Sequence, residues 1–283
     1  MRLALSISAA ALVVACATVT TTTAMQAAET DLGLSDRAAT PIQSDDPYYQ
    51  KAESAVAARL GDAHTPQAKN VIIFVGDGMG ISTITASRIY AGQTRGVDGE
   101  SFELAMETLP HMALSRTYSH DYQVADSAST ATSMVAGIKT RSGVLGVTYE
   151  VPRGNCAGQA GNGTDTLFEL AERNGLATGI LSTARLTHAT PASTYAESAN
   201  RNWEDDTSFG NSGAEGCQDI AAQLIDWQEG DGFEVAMGGG RRHFMTDETF
   251  DPEYADQTGR RADERDLLVA WSAKSDAHEV IYT

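Results

Sequence analysis

Asp126-Ser127 sets a carboxylate beside a hydroxyl at the start of a run of small and apolar residues. From Ser127 to Ile138 that run reads as a short helix, with Asp126 at its N-cap and Gly137 as its stop. Free backbone N–H groups and the positive end of the dipole in such a first turn favour a bound anion. Ser127 is therefore a candidate nucleophile, although Asp and Ser at this position also serve as plain capping residues.

Other residues must decide between the two. Gly76-Asp77-Gly78-Met79-Gly80 follows the apolar run Val71-Ile72-Ile73-Phe74-Val75. A dinucleotide loop fails here: its third glycine would fall where Ile81 stands, and an aspartate between the glycines would face a pyrophosphate with negative charge. A metal site fits better, with the Asp77 carboxylate on a sharp glycine turn that a cation can approach; a simple turn is the plainer alternative. Leu186-Thr187-His188-Ala189-Thr190-Pro191-Ala192 follows a second apolar run. If that segment is extended, the His188 nitrogen and the Thr190 oxygen face the same way. Arg201, ahead of Asn202 and Trp203, offers a planar fork able to grip phosphate oxygens, or to form an ordinary surface ion pair.

These groups must be held at strand ends to meet. Val71 to Val75 is apolar and β-rich, which predicts a strand buried on both faces of a parallel sheet. Ile81 to Tyr90 then predicts a helix closed by Gly92. In the next unit Thr164 caps a helix through Leu167, Phe168, Leu170 and Ala171, Gly175 ends it, and Ala177 to Ser182 is a strand. A helix over Gly216 to Trp227 and a strand over Phe233 to Met237 precede Gly238-Gly239-Gly240. Strand and helix alternate, so the expected fold is α/β, a three-layer sandwich with a central, mainly parallel sheet and its site along the carboxyl edge. Asn200 to Gly213 and Asp247 to Arg265 are polar and turn-rich, as surface loops are.

The 283 residues, 42% hydrophobic and 20% charged, suit one large α/β domain or two small ones. With 20 Lys and Arg against 38 Asp and Glu, the net charge of −18 disfavours nucleic acid and anionic lipid as partners and repels anions at long range. Phosphate chemistry would therefore need a local positive cluster of metal ions or a buried arginine. Residues 1 to 15 carry one basic residue, Arg2, and an uncharged stretch too short to span a membrane, which predicts export. Val13-Val14-Ala15-Cys16 is similar to a bacterial lipoprotein cleavage site that would lipidate Cys16; ordinary cleavage near Ala27 or Ala28 is the other reading. The expected divisions are an export segment over 1–28, a tether and N-terminal arm over 29–66, and a domain over 67–283. Setting Cys16 aside leaves Cys156 and Cys217, for which a disulfide is the simplest expectation in an exported chain and two buried thiols the alternative.

Five motifs, taken together, resemble the bacterial and animal alkaline phosphatases. They are Gly76 through Gly80, Asp126 through Thr132, Thr187 through Ala192, Arg201-Asn202-Trp203, and Gly216-Cys217-Gln218-Asp219-Ile220 with Gly238-Gly239-Gly240, and they span about Asn70 to Arg242. The resemblance implies hydrolysis of small phosphate monoesters with two Zn2+ and one Mg2+, through a phosphoserine on Ser127. Asp77 would bridge a zinc and the magnesium, Ser127 would bind zinc, Thr190 the magnesium, and Arg201, held by Asp126, would clamp phosphate. His188 stands where the family carries aspartate or histidine, a choice that tunes the magnesium site. The Cys156–Cys217 pairing matches one in animal relatives, and the family is commonly dimeric.

The resemblance is incomplete. The family's downstream glutamate, aspartate and histidine ligands have no counterpart, since His243 and His278 fall in no such pattern and the sequence stops at Val280-Ile281-Tyr282-Thr283, which reads as a strand. These features imply the N-terminal part of a longer enzyme, inactive or nearly so by itself. Location would be periplasmic, lipid-anchored at Cys16, or secreted. A non-catalytic surface lipoprotein binding phosphate or metal, and a phosphodiesterase or sulfatase of the same superfamily, are the competing readings.

Overall fold

The computed structural model describes residues 40–60, 68–109, 111–210, 216–275 and 277–282. The export segment, Cys16 and the tether up to residue 39 lie outside the described residues. Helices α1 (Pro47–Leu60), α2 (Ile81–Thr94), α3 (Ser127–Ala136) and α4 (Leu167–Arg173) precede strand β1 (Gly179–Arg185). The short helix α5 (Ala189–Ala192), α6 (Ile220–Asp226), strand β2 (Val235–Gly239) and α7 (Leu267–Ser272) follow. β1 and β2 pair in parallel, Gly179 opposite Val235 and Leu181 opposite Met237, so the α/β class with parallel pairing holds.

Helix α3 is built as its residues dictate. Asp126 accepts the backbone N–H of Ser129 at 3.3 Å, and Gly137 takes the left-handed conformation at φ 74°, donating to the Ser133 carbonyl. A side chain at that φ would be strained, which is why the helix stops there. Ala128, Ala131 and Thr132 are buried, and Thr132 Oγ1 accepts the N–H of Gly146 at 3.1 Å, tying the helix to the following loop. The main core joins Ala128, Leu145, Ile180, Tyr195, Ile220, Leu224 and Phe233 beneath the strands and α6. A second core gathers Val144, Val147, Val151, Ala199 and Trp203 around the Cys156–Cys217 disulfide, whose Cα atoms are 5.7 Å apart.

Several boundaries differ from the sequence reading. Val71 to Val75 belongs to no strand; its side chains are between 44% and 93% exposed, because among the described residues the only sheet is the β1–β2 pair and nothing pairs with or covers this run. The same holds for Val280 to Tyr282, which form no ladder. Helix α2 does not stop at Gly92. That glycine is buried inside it, where a Cβ would lie 2.7 Å from the Asp98 carbonyl, so close approach of the chain and not termination requires it. Thr166, not Thr164, caps α4: its Oγ1 accepts from Glu169 N while the Glu169 carboxylate accepts from Thr166 N, a reciprocal box. Thr164 instead donates to the Gly146 carbonyl. Helix α6 begins at Ile220, four residues beyond the expected Gly216, with the Asp219 carboxylate capping it by accepting from Ala222 N. Each strand is also displaced toward its C-terminal end relative to the apolar run that suggested it, with buried Phe233 stacked on Trp227 instead of starting β2.

The N-terminal arm is tied down from residue 42 onward. Gln43, buried, donates to the carbonyls of Ala136 and Asp165 and accepts the Asp165 N–H, while Ile42 N donates to the Asp165 carboxylate at 2.7 Å. These bonds fasten the chain entering α1 to the C-terminal end of α3.

Candidate active site

Six of the sequence-nominated groups form one continuous chain of contacts. Nη1 of Arg201 donates to Ser127 Oγ at 2.8 Å and pairs with Asp126 Oδ2 at 3.0 Å. Its Nη2 lies 3.1 Å from His188 Nε2. On the far side of His188, Nδ1 faces Asp77 Oδ2 at 3.8 Å, and Thr190 Oγ1 donates to that same oxygen at 2.9 Å. His188 and Thr190 do not lie in an extended segment: His188 is the N-cap of α5 and Thr190 is within it. The helical turn brings both to Asp77 all the same.

Charge is distributed unevenly across the site. Burial pushes the Asp126 carboxyl up, but bonds from the backbone of Gly143 and Ser129, from Arg201 and from the Ser129 hydroxyl outweigh it and hold the pKa below the usual range. Asp126 is thus an anion that fixes the guanidinium. Burial, and after it the nearby Arg201 and Arg185, pull His188 below its ordinary value against the opposing pull of Asp77 and Glu204, so its ring is neutral at pH 7.

Arginine can only donate, so in the contact with Arg201 the neutral His188 ring carries its proton on Nδ1. Nδ1 is buried without a hydrogen-bond partner. A cation bound at Nδ1 would require the proton on Nε2, placing two donors face to face at Arg201 Nη2. His188 can serve a cation through Nδ1 or hold Arg201, not both. Asp77 and Thr190 offer hard oxygen donors that suit Mg2+. Among the described residues no group of three His, Cys, Asp or Glu side chains is gathered for a metal ion, so a full zinc set is not assembled by them.

The sequence reading missed the support behind this row. Glu204 accepts from Arg185 Nε at 2.7 Å, from Arg185 Nη2 at 2.8 Å and from Thr187 Oγ1 at 2.6 Å, and its neighbour Asp205 accepts from buried His243 Nδ1 at 2.6 Å. Burial raises Glu204, but Arg185 and Thr187 outweigh it and hold the carboxyl below its ordinary value. Thr187 and Arg201 belong to motifs already quoted; Glu204, just beyond Trp203, carried no signal of its own.

An arginine bridging a serine at a helix N-terminus and a histidine, with an Asp–Thr pair beside it, has the donors to grip a phosphoryl group next to a hydroxyl. A sequence profile of the alkaline phosphatase family matches residues 68–281, and the chain belongs to that family. It is 41% identical over 248 residues to the tissue-nonspecific alkaline phosphatase of Gallus gallus, a match covering 85% of this chain and 47% of the relative. It is 41% identical over 219 residues to the membrane-bound alkaline phosphatase of Bombyx mori, covering 76% and 40%. The chain spans about half the length of the curated relatives it matches, or less. Among solved structures, alkaline phosphatase from the Antarctic bacterium TAB5 aligns with TM-score 0.48 at 25% identity over 70% of this chain and 43% of that one. The Thermus thermophilus enzyme aligns with TM-score 0.49 at 28% identity over 71% and 34%.

Proposed function

We propose that the protein hydrolyses phosphate monoesters in a metal-dependent reaction through a phosphoserine at Ser127, releasing inorganic phosphate. The observation that carries this reading is the single guanidinium of Arg201, which reaches Ser127, Asp126 and His188 at once. In the first step Ser127 Oγ attacks phosphorus in line, the new O–P bond forming as the ester O–P bond breaks, and the serine proton leaves with the alcohol. Arg201 exchanges its bond to the serine for the phosphoryl oxygens, with Asp126 keeping its plane in place. Water then cleaves the phosphoserine and restores Ser127.

Asp77 and Thr190 would hold Mg2+, with His188 beside them, while Asp77 and Ser127 would share in the zinc sites. Two Zn2+ and one Mg2+ supply, when bound, the positive charge that activates the serine and stabilises the leaving oxygen. Since the described residues assemble no complete zinc site, the 283-residue chain by itself turns over slowly at most. The protein is exported, with Cys16 as lipid anchor or removed by cleavage beyond it, and acts as a homodimer on small phosphate monoesters. No helix of the described residues is long and apolar enough to cross a membrane. Its net charge of −18 argues against nucleic acid as a substrate.

The decisive test is covalent trapping. Protein supplied with Zn2+, Mg2+ and inorganic phosphate at acidic pH, then denatured and digested, should carry one phosphoryl group on the peptide containing Ser127, and none in Ser127→Ala. Phosphate binding with no covalent label at any metal loading would make it a binding module instead. Robust zinc-dependent hydrolysis of an aryl phosphate by the 283 residues, abolished in Ser127→Ala, would overturn the claim of slow turnover.

A further inference from the structure

Glu204 sits where three chain segments meet. Through Arg185 and Thr187 it grips the end of β1, the stretch leading directly into His188 and Thr190. It lies just past Arg201 and so belongs to the segment that carries the guanidinium. His243, from the turn after β2, places Nε2 3.4 Å from Glu204 Oε2 and donates through Nδ1 to Asp205. Thr187 and His243 are almost fully buried and the Glu204 side chain is 15% exposed, so the arrangement is not a loose surface pair. A bidentate arginine–carboxylate pair with a third, hydroxyl donor has little freedom to rotate.

We infer that Glu204 is a positioning residue, its carboxylate fastening the His188–Thr190 segment to the Arg201 segment and so setting the spacing between the cation side of the site and the phosphate clamp. Among the described residues, the other side-chain bond between these two segments is the Arg201–His188 contact itself, which the site's chemistry must be free to open. The inference rests on the reading of the site given above. It makes a specific distinction between variants. Arg185 Nε and Thr187 Oγ1 both donate to Glu204 Oε2 while Arg185 Nη2 donates to Oε1, so a glutamine can keep the first two bonds with its carbonyl oxygen but sets its amide NH2 against the third donor. Glu204→Ala loses them all.

The experiment is NMR of the ligand-free chain, followed by titration with Mg2+ alone. The Arg201 guanidinium N–H signals, identified by their loss in Arg201→Lys, should be protected from exchange in the wild type because Ser127, Asp126 and His188 hold them. Glu204→Ala should broaden or abolish these signals and weaken Mg2+ binding by about tenfold or more, while Glu204→Gln, which keeps two of the three bonds, shows a smaller loss of both. Should Glu204→Ala fail to fold, Thr187→Val, which removes one donor and keeps the shape, must show the same broadening to a lesser degree. Unchanged Arg201 signals in either folded variant, with only the unfolding midpoint lowered, would reduce Glu204 to a stability residue and overturn the inference. A wild type with protected Arg201 signals and no response to Mg2+ would instead refute the metal reading of the site, leaving the NMR comparison to decide the role of Glu204.

Discussion

Arg201 donates to Ser127 Oγ at 2.8 Å through the same nitrogen that pairs with Asp126. The serine oxygen therefore rests as the acceptor of a cationic donor at the start of α3, a setting that lowers the cost of developing negative charge on it. In the proposed reaction, the same bond would hold the arginine that clamps phosphate on the attacking serine before substrate arrives.

Replacing Arg201 by alanine strips Asp126 of its cation and Ser127 of its donor. Both carboxylate and guanidinium are about four-fifths covered, so about 1–3 kcal/mol of stability should go with the pair, more than a surface ion pair gives. Urea unfolding measures that loss, and phosphate trapping on Ser127 should fall with it. A stability change near zero would mean that the pair is as solvated as an ordinary surface bridge.

The disulfide closes a segment of 61 residues, for which chain entropy alone gives about 4 kcal/mol. Trp203, two positions from Arg201, is packed in the core around it. Mutation of Cys156 and Cys217 to serine should lower the thermal midpoint strongly and shift tryptophan emission to the red. An unshifted emission spectrum would show that Trp203 keeps its packing without the bond.

Glu169 and Glu197 are both raised to about 7, first by burial; Glu197 is raised further by Glu169 and Asp165 nearby. Because the native state keeps protons that the unfolded chain releases near 4.5, stability from these groups is fully present below that pH and declines up to about 7. Glu197→Gln should therefore stabilise the protein at pH 8 by ~2 kcal/mol and change little at pH 4. Unfolding free energies across that range check the slope, and equal effects at both ends would contradict it.

Arg261, 1% exposed, spans Asp219 at 2.9 and 3.0 Å and Asp263 at 2.5 Å. Asp219 also caps α6. Arg261→Met would leave a buried carboxylate without its cation, at a cost of about 3–5 kcal/mol. Restoration of stability in Arg261→Met combined with Asp219→Asn would identify the uncompensated charge as the cause, and a double variant no better than the single would assign the loss to packing.

Much of the site was legible because its parts are local. Asp126 as a cap, Gly137 as a stop and the disulfide follow from residue chemistry that needs few neighbours, and the structure has them as expected. The misreadings share another cause. Val71 to Val75 is a strand by apolarity and β-propensity, but those properties state what a segment can bury and not whether a partner lies beside it. Thr164 and Thr166 are both competent caps, and only the reach of Glu169 back to Thr166 chooses between them.

By itself, then, the sequence determined the donors: a serine beside a carboxylate, an aspartate between glycines, a histidine and threonine two apart, and an arginine. Only the tertiary structure decided their pairing, because Arg201 is 74 residues from Ser127 and Thr190 is 113 from Asp77. Over such separations no local periodicity sets a distance. The packing of α3 against the β1–β2 core does, along with the grip of Glu204 on the end of β1.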